Sequence, residues 1–351
     1  MLLLSLLTGA HAAPPLHLAN GRRPGGATTD VHIREGRFVD GASSEGVSPI
    51  DLAGAFVVPG LVDSHVHLTF WPVAEQLLDA GVVAAVDLAA PETALASPAP
   101  LQLLASGPML TATGGYPTTS WGRDGYGLEV GDADAAKAAV DRLHRAGARI
   151  AKIPLDRGPS LDAPTLQAAV EQAHAHGMKV VAHAMNDDTA LRAAAAGVDV
   201  LAHTPVGPMS DEAVAAWAQP HRAVISTLTA FGASDDAVDN LRRLHQAHAR
   251  ILYGTDLGNR RVAGVDAEEL RLLRQVGLSP AEILASCTTL PAEVWGLEGI
   301  GSFTPGAPAH LLVLPSDPLE DPTVLARPRA VYVHGQRRGP KPLGPRDTSK
   351  D

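Results

Sequence analysis

The sequence predicts an α/β chain, a (β/α)8 TIM barrel with a small β-sandwich domain built from both chain ends, and three observations predict it. From Leu61 onward short apolar strands alternate with Ala-rich amphipathic helices, the pattern of a parallel sheet or barrel. On either side of that stretch the texture is β alone, with no helical periodicity. Metal-competent side chains recur at the ends of the candidate strands, where a barrel of this kind carries its chemistry.

Composition narrows the function. A chain of 351 residues admits two average domains or one large barrel with an appendage. Apolar residues at 45% supply a sizeable core, and aromatics at only 4%, beside many Ala and Gly, indicate tight helix–sheet packing. The formal net charge of −10 and the lack of a Lys/Arg cluster argue against nucleic acid, so a small-molecule substrate is the expected partner. Oligomeric state is left open. Cys287 is the only cysteine, so no internal disulfide forms and cysteine usage says nothing of compartment.

In chain order, residues 1–7 are apolar, and Ala10-His11-Ala12 before Ala13-Pro14-Pro15 resembles a small-x-small cleavage site. Residues 1–12 are therefore read as a signal peptide, which places the mature chain in the periplasm or outside the cell. The alternative is a short extension on a cytoplasmic protein. No later stretch is long and apolar enough to span a bilayer. Residues 13–58 hold short β-like runs, Val31-His32-Ile33-Arg34 and Ala55-Phe56-Val57-Val58, between Gly-rich turns. Residues 303–336 return to that texture, and the two segments together form the small domain.

The barrel is expected over 59–302, with strands at 61–68, 81–88, 108–113, 149–154, 178–183, 198–203, 222–227 and 250–256. Eight is the number that closes such a barrel. Helix signals lie between them: Asp132 as cap before the stripe Ala136, Ala139, Val140 and Leu143, with Gly147 as stop, and Ser279-Pro280 opening a helix through Cys287. Cys287 reads as a buried small residue. The Pro-, Gly- and charge-rich stretch 337–351 reads as a disordered tail.

The first barrel strand carries the pattern that matters most. In Pro59-Gly60-Leu61-Val62-Asp63-Ser64-His65-Val66-His67, the two histidines stand at i and i+2, so both imidazoles face one side. Alone, the pair is more often two hydrogen-bonded core histidines than half of a metal site. The other strand ends change that balance. Lys152 ends the fourth strand, His183 the fifth, His203 the sixth and Asp256 the eighth. Each has an ordinary reading by itself, Asp256 as a helix cap and Lys152 as a solvated end residue. Coincidence at every one of these ends is much less probable than a site holding one or two divalent ions, with imidazole suited to zinc. A lysine ammonium is no ligand, so Lys152 would have to be modified. His174 and His176 also read His-x-His, but on a helix i and i+2 project apart and cannot share an ion. His144, His245 and His248 lie on helices as well.

The first-strand motif, with Ala151-Lys152-Ile153, Ala182-His183-Ala184, Ala202-His203-Thr204 and Gly254-Thr255-Asp256, resembles the amidohydrolase superfamily of metal-dependent hydrolases. The segment 301–318, with Leu311-Leu312-Val313-Leu314, resembles its closing β segment. The chain is most similar to the imidazolonepropionase-like and Xaa-Pro or Xaa-Arg dipeptidase branch. The resemblance implies two divalent ions, taken as zinc, with a carbamate on Lys152 bridging them. His65, His67 and Asp256 hold one ion, and His183 and His203 the other. It implies cleavage of C–N bonds in an amide, cyclic amide or dipeptide by a metal-activated hydroxide, with Asp256 as the catalytic proton acceptor. The alternatives are an ester, lactone or phosphotriester hydrolase on the same site, and a non-catalytic barrel serving as a binding protein. Two departures stand out: Gly114-Gly115-Tyr116 replaces the branch's Gly-Gly-His, and Ala309-His310 replaces its Ala-Asp. Residues 114–127 read as an aromatic lid loop. From it Tyr116 is the candidate oxygen donor to the substrate carbonyl, and Arg123 the candidate partner of a substrate carboxylate. Asp63 and Asp87 are candidates to orient ligand imidazoles, or to make structural hydrogen bonds.

Overall fold

The computed structural model describes residues 14–41, 46–97 and 99–339. The signal peptide expected over 1–12 lies outside the described residues, as does the tail from 340 onward. The barrel is present. Strands one and two are Leu61–Val66 and Val82–Asp87. Strands four to eight are Ile150–Pro154, Lys179–His183, Val200–Leu201, Ala223–Ile225 and Arg250–Leu252, joined in that order by parallel ladders. These strands read as continuous apolar runs because helices cover their outer faces and side chains fill the interior.

The third strand departs from expectation. It is divided into Gln102–Ala105, paired parallel with strand two, and Met109–Thr111, beside strand four. Gly107 at φ +68° followed by Pro108, which has no N–H to give a ladder, separates the halves. The expected span 108–113 therefore caught only the second half. Gly127–Glu129 then returns alongside Met109–Thr111, which closes the lid loop onto the barrel rim.

Helices follow their start and stop signals. Ala133–Ala146 is capped by Asp132, whose carboxylate accepts from the Ala135 N–H, and ends at Gly147 with φ +110°. Pro280–Cys287 opens with a capping box between Ser279 and Glu282, and Cys287 is buried. Among the described residues no helix is long and apolar enough to cross a membrane.

Both chain ends meet in one eight-stranded sheet with its own apolar interior around Leu18, Ile33, Val57 and Leu311. Phe56–Pro59 pairs antiparallel with Leu311–Leu314, and the chain passes into the barrel through Gly60. A Cβ at Gly60 would sit 2.5 Å from Val83 Cγ2 and 2.8 Å from His310 Cβ, so only glycine fits where the two sheets meet. His310 belongs to the small sheet, where its Nδ1 accepts from the His334 N–H at 3.2 Å. The last strand, Gln336–Arg338, reaches two residues into the stretch expected to be tail. Arg338 is held there by Asp79 at 3.0 Å and by Glu75.

Candidate active site

The barrel closes at the candidate ligands. Ser64 N donates to the Tyr253 carbonyl at 3.0 Å and His67 N to the Leu257 carbonyl at 2.7 Å, which joins strand one to the chain leaving strand eight. A Cβ at Gly254 would lie 2.4 Å from Ile225 Cγ2 and 3.2 Å from His65 N, so glycine is required for that approach. Asp63 locks the same seam, accepting from the N–H groups of His65 and Thr255 at 3.0 and 3.1 Å and from Thr255 Oγ1 at 2.6 Å. Asp87 accepts from Leu68 N at 3.1 Å and Ala89 N at 3.3 Å. Both carboxylates thus make structural bonds to backbone, and the hydrogen bonds that orient His65 and His203 come from other groups.

His65 Nδ1 lies 2.9 Å from the Ala202 carbonyl. A carbonyl only accepts, so the ring proton sits on Nδ1 and the Nε2 lone pair is left facing inward. There His65 Nε2 and His67 Nε2 are 3.3 Å apart, and Asp256 Oδ1 is 3.4 Å from the first and 3.1 Å from the second. An ion bound tetrahedrally at about 2.0–2.1 Å separates its ligand atoms by about 3.3 Å, so this triangle fits one face of a metal's coordination shell. Asp256 takes this position at φ +53°, a left-handed conformation that Asp tolerates better than most residues. Asn259 Nδ2 donates to both of its oxygens at 3.1 Å.

The remaining predicted ligands gather beside the triangle. The His203 ring lies 4.6 Å from that of His65 and 4.9 Å from that of His183, and Thr227 Oγ1 is 3.0 Å from its Nδ1. Thr227 has φ +44°, uncommon for a β-branched residue and the kind of strain that collects at functional sites. Lys152 is 1% exposed, and its Nζ has no hydrogen-bond partner, like His183 Nε2 and His67 Nδ1. A buried unpaired polar atom costs about 1–3 kcal/mol, so Lys152 Nζ and His183 Nε2 at one cavity call for a ligand that satisfies them, whereas His67 Nδ1 faces away from the triangle that its Nε2 joins.

Burial sets the protonation states. It lowers the Lys152 amine to about 7, against a smaller opposing pull from Asp256. It also drives the His183 imidazole down to about 3 and holds His65 and His203 well below the usual range. The rings are therefore neutral and able to ligate. Burial raises the Asp256 carboxyl, but His65 and His67 outweigh it and hold the group at about 2.

These groups floor a cavity of about 280 Å³. Tyr116 lines it, its ring 5.3 Å from that of His183, and its oxygen accepts from Trp121 Nε1 at 2.7 Å. An indole N–H is only a donor, so the phenol keeps its own proton to give. Arg123 is not brought to the cavity: it is exposed, and its guanidinium donates to the Thr119 carbonyl within its own loop. The guanidinium at the cavity belongs instead to Arg157, with Phe231 and Asn259 as further lining residues that sequence reading missed. Arg157 lies five residues past Lys152, on the loop leaving a ligand-bearing strand. That placement was the signal available in the sequence. Among the described residues a second group of possible ligands, His17, Asp30 and His32, lies on the small sheet, partly exposed and apart from the cavity.

A barrel with neutral imidazoles, a carboxylate and a buried lysine at its strand ends defines a metal-dependent hydrolase. The model described as Amidohydrolase family matches residues 56–338, and the chain belongs to that family. It is accordingly a hydrolase of C–N bonds in the general sense. An uncharacterized protein of Mycobacterium tuberculosis is 26% identical, covering 93% of this chain and 96% of its own. The crystal structure of a putative prolidase from Bifidobacterium longum shares 24% identity over 94% of this chain and 96% of its own, with a TM-score of 0.77. A prolidase complexed with N-methylphosphonate-L-proline shares 23% identity over 93% of this chain and all of its own, with a TM-score of 0.80.

Proposed function

We propose that this chain is a two-metal hydrolase of amide or dipeptide C–N bonds. The observation that carries the reading is the His65, His67 and Asp256 triangle beside the unpartnered Lys152 amine on the floor of one cavity. The likeness to a putative prolidase and to a prolidase complexed with N-methylphosphonate-L-proline supports the amide class. His65, His67 and Asp256 would hold one ion and His183 and His203 the other, with zinc the metal that suits this imidazole-rich set. When bound, such ions polarise the scissile carbonyl and bring the pKa of water to near neutrality.

The protein's own groups supply the rest. Lys152 is uncharged in part at neutral pH, so its amine can add to CO2, and the resulting carbamate gives two oxygens where the amine gave one nitrogen. Asp256 is ionised and sits on the cavity floor, so it takes a proton from the attacking water and passes it to the leaving nitrogen. The Tyr116 hydroxyl donates to the substrate carbonyl oxygen as negative charge builds there.

The test is a hydrolysis panel with metal-loaded protein: N-acyl amino acids, dipeptides and cyclic amides against lactones, esters and phosphotriesters. Turnover of the amides above the others is expected. Turnover confined to esters or phosphotriesters would remove the amide assignment.

A further inference from the structure

Arg157 holds a cation at the cavity that the catalytic chemistry does not use. It stands at φ +67° in the loop after Ile150–Pro154, exposed, with its guanidinium carbon 5.5 Å from the Tyr116 ring centroid. Its neighbour Asp156 does not neutralise it by direct pairing. The Asp156 oxygens accept from Met185 N at 2.5 Å, Asn186 Nδ2 at 2.7 Å and Thr189 Oγ1 at 3.2 and 3.3 Å, which ties the loop to the start of helix Asp187–Ala195. Among the described residues Arg157 enters no ion pair, whereas Arg260, in the segment after strand eight, is spent on Asp266 at 2.9 Å. The loop is thus anchored by its acidic residue and offers its basic one to the cavity.

The apolar part of the lining is equally particular. The chain has only 4 Trp, 4 Tyr and 5 Phe, yet Tyr116, Trp121 and Phe231 all line this cavity. Trp121 is 5.5 Å from His67, backed by Phe70 at 5.4 Å and Tyr126 at 5.2 Å, and Phe231 is 4.8 Å from His203. The candidate ligand rings are walled by aromatics on two sides, and among the described residues the guanidinium that lines the cavity, that of Arg157, lies beside Tyr116.

We infer that Arg157 is the anion-receiving group of the site, and that its substrates are carboxylate-bearing amides with an aromatic or large aliphatic substituent, of the N-acyl amino acid kind. This rests on the amide-hydrolase reading above. The planar guanidinium receives the carboxylate with two parallel hydrogen bonds, and the wall at Trp121 or Phe231 covers the apolar group. A net charge of −10 repels such a substrate at long range, so a local cation is what admits it.

The experiment uses the metal-loaded full chain and two ketomethylene isosteres of N-acetylphenylalanine, one ending in a carboxylate and one in a carboxamide. The scissile C–N bond is replaced by C–C in both, and the terminal carboxamide is checked by chromatography to survive the titration, so calorimetric binding needs no turnover. The acid is expected to bind about 10- to 100-fold more tightly, the range for a charge-assisted pair, with that ratio collapsing towards one in Arg157→Gln and partly kept in Arg157→Lys. In parallel, the acid-to-carboxamide ratio of kcat/KM for the amides themselves should fall through KM. Equal binding of acid and carboxamide, or an unchanged ratio in Arg157→Gln, overturns the inference. Binding that follows the prediction while none of the amides is cleaved would instead overturn the hydrolase reading and leave the anion subsite standing.

Discussion

Two stretches of this chain read His-x-His, and the fold separates them completely. His65 and His67 end a strand, so both rings point into the barrel, with their Nε2 atoms 3.3 Å apart on a shared carboxylate. His174 and His176 end helix Ala163–Ala175, and each goes to a different partner: His174 to Asp199 at 2.9 Å and His176 to Asp141 at 2.6 Å. The first pair is buried, the second partly exposed and bonded to carboxylates. The difference is one of period. At two residues a strand repeats its direction and a helix has turned by more than half a circle.

The largest effect expected from breaking the strand pair is loss of the metal. His65→Ala with His67→Ala should lower the metal content by about one ion per chain and cut turnover to background, since rate accelerations of about 10⁶ or more rest on such sites. Elemental analysis beside an amide assay checks both. Full metal content with lost turnover would mean that these rings are not ligands. Asp256→Asn separates ligation from proton transfer. It keeps one oxygen ligand, so metal should be largely retained while kcat falls about 10²- to 10⁴-fold.

Next in size is Lys152, where function and stability oppose each other. Lys152→Met should abolish carbamate formation and most turnover. It should also stabilise the metal-free chain by about 1–3 kcal/mol, because an unpaired buried amine is replaced by an apolar group of similar length. The folded amine titrates near 7 and the unfolded one near 10.5, so between those values the unfolded chain holds the extra proton. Stability of the metal-free protein therefore rises with pH across that window and is flat in this respect below it. Denaturant unfolding of both proteins at several pH values measures the slope, which Lys152→Met should remove. Carbamate uptake, followed by carbon-13 NMR with labelled bicarbonate, should likewise rise as pH passes 7.

Most of the barrel was legible because its strands are apolar runs bounded by clear helix caps. The first half of the third strand was missed because Pro100 and Pro108 bracket it, and prolines so close together argue against a strand. The candidate metal-site residues were legible because strand-end position is enough to bring them to one rim. The groups that orient them were not. The Ala202 carbonyl and the left-handed Thr227 carry no mark in the sequence, and Asp63 and Asp87, which do, turned out to bind backbone. Arg123 and Arg157 show the same limit. Both lie in loops at the catalytic end, and only the closing of one loop by Gly127–Glu129 and the anchoring of the other by Asp156 decide which guanidinium reaches the cavity.

The smallest effect belongs to the helical pair, and it tests whether spacing alone carries chemistry. His174 and His176 hold carboxylates on neighbouring elements, and the His176 ring also stacks on His144 at 4.2 Å. Lys179 shares Asp199 with His174, at 3.2 Å, so that carboxylate keeps a cation when the histidine is removed. Exposed pairs of this kind add little to stability, and each carboxylate left behind can be hydrated. His174→Ala with His176→Ala should therefore leave metal content unchanged and turnover within about twofold. Its unfolding midpoint should move by no more than about 2–4 °C. A variant that loses a metal ion would show that a helix can present i and i+2 to one ligand after all.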